Sequence, residues 1–285
     1  MHRKGIAAYV AAGLILTACS GRVDANNAAP ADSLSTEATT VPQKSEPIDT
    51  TTLKANALAK AYPDCIKGYV DGELKFADGT TMPFDDGKAK SFEQRLDNAD
   101  AEDMMERYVD YNGEPPAYLS DAGRTRCEQL FKKMYGSTSA EVSKQLTTVD
   151  WFGQKLKFSS TNGAADSLRA VAREIAQHPD LIKYAKPSAG TFYWRTVRGA
   201  KRLSAHSFGI AIDVCTSRSN YWRWDYPGRG ETAKIGYRNA FPHQLSEIFA
   251  RHGFIWGGNW YHYDTMHFEF RPEYFVEWEI EPRGK

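Results

Sequence analysis

Two short segments hold the side chains whose types and spacing suit chemistry. The first, SAHSFGIAID at 204–213, supplies His206 and Asp213; the second, DTMHFE at 264–269, supplies Asp264, His267 and Glu269. Two imidazoles and a carboxylate suit a catalytic zinc, which takes three such protein ligands and keeps its fourth, tetrahedral position for water. His206, Asp213 and His267 are the candidate ligands. Asp264, three positions before the last histidine, stands where a proton acceptor for that water is needed, so the implied chemistry is hydrolysis. Taken alone, His206 and Asp213 are better explained by a structural hydrogen bond. The second segment, with its own histidine and acids, moves the reading to a metal.

The elements that carry these residues must aim them at one point. His206 and Asp213 are seven apart, and on a plain strand an odd spacing sends side chains to opposite faces. The Ser-Phe-Gly turn between them must re-aim one, and Gly209 permits the backbone this needs. Residues 261–270 read as a final strand, on which His262 shares a face with Asp264 and Glu269 shares one with His267. His262 is a candidate for lining a substrate groove or supporting a ligand, and Glu269 for holding a ring N–H or for a plain structural role. Ser204 is a candidate for a hydrogen bond beside the metal site, with a local turn bond as its alternative. Cys215 is either a rival ligand or a buried small residue at a strand end.

Elsewhere the patterns are structural. Residues 72–84 read as a hairpin turning at Asp78-Gly79, a type I′ signal. Residues 91–108 and 124–135 read as helices, the latter with Cys127, Leu130, Phe131 and Met134 on one face. Residues 147–158 carry strand-forming side chains, 165–177 a helix, and 190–194 and 203–214 strands or strand-like loops. Residues 242–252 read as a short helix opened by proline and closed by Gly253. Without a regular βαβ rhythm, the fold class is α+β, a small antiparallel sheet with flanking helices.

The N-terminus is a processing segment. Arg3 and Lys4 precede an apolar stretch at 6–16 that is too short to span a bilayer. Leu16-Thr-Ala-Cys19 resembles the lipobox of bacterial lipoproteins, which implies cleavage after residue 18 and lipidation of Cys19. Residues 19–52 are rich in Ala, Ser, Thr, Asn and Pro and form the expected tether. Ser20 after the cysteine implies sorting to the outer membrane in a cell with two membranes. The expected organisation is a signal at 1–18, the lipidated tether at 19–52, an accessory α+β region at 53–146 and a catalytic domain at 147–285. Loss of the signal takes the formal charge from zero to about −2. There is no basic patch, which argues against a nucleic-acid partner. Cys65, Cys127 and Cys215 allow one disulfide and one thiol, with all three pairings open.

The two site segments, together with GFIWGGNWYHYDTMHFEFRPE at 253–273, resemble the VanY-like D-alanyl-D-alanine carboxypeptidase family, which includes L-alanyl-D-glutamate endopeptidases. The resemblance covers residues 147–273. It implies the small α+β core shared with lysostaphin-type endopeptidases and the hedgehog signalling domain. It also implies one zinc per chain on His206, Asp213 and His267, with Asp264 as general base. GTFYWR at 190–195 resembles the family strand whose arginine contacts substrate, making Arg195 the candidate and Arg198 its competitor. The implied function is hydrolysis of amide bonds in peptidoglycan stem peptides, by a carboxypeptidase or an endopeptidase facing the periplasm from a lipid anchor. The alternative is a non-catalytic zinc-containing envelope-binding or scaffold lipoprotein.

Overall fold

In the computed structural model, residues 49–277 are described, and they belong to a unit that begins at Pro47. The signal, Cys19 and most of the tether lie outside the described residues. Helix α1 (Thr50–Ala61), capped by the Asp49 side chain, packs on β1 (Ile66–Val70). Strands β2 (Glu73–Phe76) and β3 (Thr81–Pro83) complete an antiparallel three-stranded sheet in the order β1-β2-β3. The β2–β3 hairpin forms where expected but not through a type I′ turn. Gly79 alone in the loop has positive φ, at 82°, because the Asp78 carboxylate accepts from the Thr80 backbone N–H at 3.1 Å and shapes the turn.

Helix α2 covers only Phe92–Asn98, shorter than the expected 91–108. It ends where Asp100 and Asp103 bond each other's backbone N–H groups, an alternative to helical bonding. Helix α3 likewise begins late, at Glu128–Tyr135, with Cys127 as its N-cap. The expected face is buried. Arg124 and Arg126 stay outside the helix because their side chains reach carboxylates elsewhere in the fold. Helix α4 (Ser139–Lys144) leads into the β4 (Leu146–Trp151) and β5 (Gln154–Ser159) hairpin, followed by α5 (Ala164–Ile175) and the short α6 (Ile182–Ala185). Leu168, Val171 and Ile175 form the buried stripe of α5.

The third sheet positions the candidate site. Strand β6 (Ala211–Asp213) and strand β7 (Phe254–Trp256) flank β8 (His267–Phe270), both antiparallel to it. Between them lie α7 (Trp222–Asp225) and α8 (His243–Arg251), the latter with Pro242 as N-cap. The strands are shorter than the sequence implies. Residues 203–210 include a single 3-10 turn, Ala205–Phe208, and β8 begins only at His267. The residues expected to alternate along 261–266 therefore belong to a loop, held by Asp264 N–H to Gly257 O at 2.9 Å and Thr265 N–H to Asn220 O at 2.9 Å. One hydrophobic core runs from α1 through β8, and the architecture is mixed α+β with small antiparallel sheets. Cys65, Cys127 and Cys215 are all free thiols.

Candidate active site

Register brings the first two donors together. Asp213, last in β6, faces His267, first in β8, as a direct antiparallel pair, the spacing at which cross-strand side chains touch. Asp213 Oδ1 lies 2.9 Å from His267 Nδ1. The third donor comes from the 3-10 turn. Ser204 caps that turn, its Oγ accepting from His206 N–H at 3.4 Å, and Gly209 ends it at φ 66°. A side chain at 209 would be strained in that conformation and would meet Leu146 Cδ2 at 2.5 Å. The turn swings His206 Nε2 to 3.2 Å from Asp213 Oδ1. Donor atoms of His206, Asp213 and His267 all lie within 4.8 Å of one another.

Hydrogen bonds fix which nitrogen of each ring faces this point. His206 Nδ1–H donates to the Thr191 carbonyl, so Nε2 carries the free lone pair. That Nε2 is buried and makes no hydrogen bond. His267 Nε2–H donates to Glu269 Oε1 at 2.9 Å, which leaves Nδ1 toward Asp213. Burial works against a charged His267, but Asp213 and Glu269 on its two sides outweigh it and hold its pKa up to about 10. Glu269 is itself buried; burial opposes its charge, and Arg126 and His267 keep its pKa below the usual range, with Arg271 Nη1–H also donating to it at 3.3 Å. Burial likewise opposes the charge of Asp213, and the two histidines hold its pKa low. Two oriented imidazoles and a carboxylate, with a buried His206 Nε2 that makes no hydrogen bond, fit a zinc-type cation, which takes such nitrogen and oxygen donors.

Asp264 lies in the same cleft, of about 460 Å³, with Oδ1 buried and without a hydrogen bond. Burial and then the charge of Asp213 push its pKa up to about 7. Its backbone packs so closely on Gly257 that a Cβ there would come 2.5 Å from the Asp264 carbonyl oxygen. Tyr221, in the aromatic loop that carries α7, pairs with Asp264 as an isolated antiparallel bridge.

The family model described as D-alanyl-D-alanine carboxypeptidase matches residues 198–270. By this match the stretch is similar to the VanY-like D-alanyl-D-alanine carboxypeptidase family. No curated protein and no solved structure matches the chain. The matched stretch contains His206, Asp213, Asp264 and His267.

The other candidate residues of this cleft occupy distinct positions. Arg195 is exposed and lines the cleft; its backbone is clamped by Ser207 Oγ, which accepts from Arg195 N–H at 3.0 Å, while its guanidinium reaches only the Thr196 carbonyl, at 3.3 Å. Arg198 lines the same wall. Ser204 also lines it, with its hydroxyl engaged in the turn cap. His262 is among the residues lining the cleft, though its side chain is buried; Nδ1–H donates to Asp121 Oδ2 at 2.6 Å and Nε2 has no hydrogen bond. Cys215 lies outside the donor cluster, its thiol 3.3 Å from the Ser217 hydroxyl.

Sequence reasoning missed Thr191, which acts through its carbonyl and so leaves no side-chain signal. It also missed Asp121, Arg124 and Arg126. Arg126 binds Glu269, 143 positions away, and Arg124 bridges Asp121 at 2.7 Å and Glu231 at 2.8 Å. The one available signal was two arginines at a spacing of two just before a helix.

Proposed function

We propose that this chain is a zinc peptidase that hydrolyses amide bonds in peptidoglycan stem peptides. The observation that carries the reading is the convergence of His206, Asp213 and His267 beside the unpartnered carboxylate oxygen of Asp264. Zinc held by those three residues would polarise a substrate carbonyl and acidify a water molecule. Asp264 Oδ1 would accept the proton of the attacking water and return it to the leaving amine. A carboxylate with a pKa near neutrality suits both halves of that task. The Thr191 carbonyl and Glu269 keep the imidazoles in the correct tautomer, and the partial burial of Asp213 strengthens its charge interactions in the cleft. Arg195, on the cleft wall, is the candidate for steadying negative charge on the substrate.

The core would be of the hedgehog/DD-peptidase type, with residues 147–285 as the catalytic part. Residues 53–146 would be an accessory part that helps wall the cleft, a role supported by the positions of Asp121, Arg124 and Arg126. Lipidated Cys19 and the tether would hold the enzyme at the membrane, facing the periplasm. The test is digestion of purified peptidoglycan by the full chain in detergent with added zinc, against an Asp264→Ala control, with mass spectrometry of the products. Loss of a terminal D-alanine would identify a carboxypeptidase, and internal stem cuts an endopeptidase. One zinc bound with no release by either protein would overturn the peptidase reading in favour of a binding protein.

A further inference from the structure

Six arginines line the cleft, Arg124, Arg126, Arg195, Arg198, Arg202 and Arg223, against two carboxylates, Asp213 and Asp264. Three of the six are engaged with buried or half-buried carboxylates. Arg124 holds Asp121 and Glu231, Arg126 holds Glu269, and Arg223 holds Glu231 at 2.7 Å. The other three sit on one hairpin, closed by the Thr196–Leu203 bridge and by Val197 N–H to Arg202 O at 2.9 Å. Arg195 and Arg198 are exposed and have no carboxylate partner among the described residues.

Arg202 differs from both. Its side chain is only 10% exposed, and one terminal nitrogen meets the outlying Asp97 at 2.6 Å. Its Nε is buried and has no hydrogen-bond partner. Burial and the charges of Arg124 and Arg126 lower its pKa. A buried guanidinium with an unspent donor, beside two others of the same sign, is costly unless an anion completes it. A carboxylate matches a guanidinium fork in shape and charge, and one carboxylate fills one fork. Arg195 and Arg198 have no carboxylate and Arg202 has only an exposed, outlying one, more positive charge than a single chain terminus would neutralise, so the complementary ligand carries more than one carboxylate.

We propose that Arg202, backed by Arg124 and Arg126, forms an anion subsite that takes an internal carboxylate of an acidic peptide, leaving Arg195 and Arg198 to other parts of the ligand. The inference rests on the peptidase reading and adds a substrate requirement to it. Arg202 is fixed by burial and selects one group in one place, whereas the exposed pair can follow a mobile end.

The test is calorimetric binding to the full, zinc-loaded chain carrying Asp264→Ala, which separates binding from cleavage. The probes are a synthetic stem peptide with the glutamate carboxyl free and the same peptide with that carboxyl amidated. The acid is expected to bind about tenfold tighter. Arg202→Gln should abolish the preference, and Arg202→Lys should keep part of it, as charge without a fork. Equal binding of acid and amide, no binding of either, or a preference that survives Arg202→Gln would overturn the subsite. The chain with Asp264 intact separates the two readings. Equal cleavage of both peptides keeps the peptidase and removes the subsite; acid-selective binding without cleavage of either supports the subsite and removes the peptidase.

Discussion

Asp264 is useful as a base only when ionised, and its surroundings oppose ionisation. Burial and then Asp213 hold its pKa up to about 7. A group with a raised pKa gains its carboxylate form as pH rises, so kcat/KM should climb with pH through that value. A divalent cation on the neighbouring donors favours the carboxylate and moves the climb below 7. Asp264→Asn should lower kcat by about 10²–10⁴ and remove this limb, with one zinc still bound. A pH–rate profile and a zinc assay on both proteins check this, and an unchanged limb in the variant would exclude Asp264 as the base. Glu269 acts one step further out, through His267 Nε2–H. Glu269→Gln should weaken zinc binding by about 10–100-fold, read by competition with a chelator. It also leaves Arg126 and Arg271 buried with less countercharge, at a cost of about 3–5 kcal/mol. Lost stability with unchanged zinc affinity would make Glu269 a structural residue alone.

At the scale of elements, two very short strands and a 3-10 turn aim three donors that a regular strand would separate. Gly209 is the pivot. Gly209→Ala places a side chain at φ 66° and against Leu146 Cδ2. The strain costs about 1–3 kcal/mol, and because the turn carries His206, zinc affinity should fall together with the melting temperature. A melting loss with unchanged zinc affinity would show that the turn and the donor cluster are independent. The need for this turn was legible in the sequence, since a seven-residue spacing cannot put two strand side chains on one face. The helices with a clear apolar stripe, α5 and α8, were legible for the same kind of reason. The ends of α2 and α3 were not, because side chains of Asp100, Asp103, Arg124 and Arg126 compete with helix formation through contacts that local pattern does not report. The 261–270 stretch read as one strand because its apolar and aromatic side chains are buried throughout, and burial alone does not distinguish strand from packed loop. The cleft's arginine wall was hidden for another reason. Its members are 124–223 in sequence and meet only through the fold.

At the scale of the molecule, buried polar links tie the first part of the described chain to the last. Tyr62 Oη–H donates to Glu273, Arg126 holds Glu269, and Asp121 holds His262. Such pairs are strongly destabilising to break one partner at a time. Asp121 gives the measurable case, because burial raises its pKa while Arg124 and His262 more than reverse this, down to about 2. Its ordinary value lies near 3.9. The folded pKa is therefore the lower one, and the stabilisation is present in full above about pH 4. It is lost as pH falls from about 4 toward 2, and the shift corresponds to roughly 2–3 kcal/mol. Asp121→Asn keeps the size of the side chain and removes the charge. Urea unfolding of both proteins from pH 7 to pH 3 should show a stability gap that is constant down to about pH 5 and narrows below pH 4. Taking the difference cancels the other carboxylates, which titrate alike in both chains. A gap that stays constant to pH 3 would mean that Asp121 stabilises by shape and hydrogen bonding, with no contribution from its charge. A gap that narrows would show that the charge of Asp121 contributes to anchoring this side of the cleft, through Arg124 first.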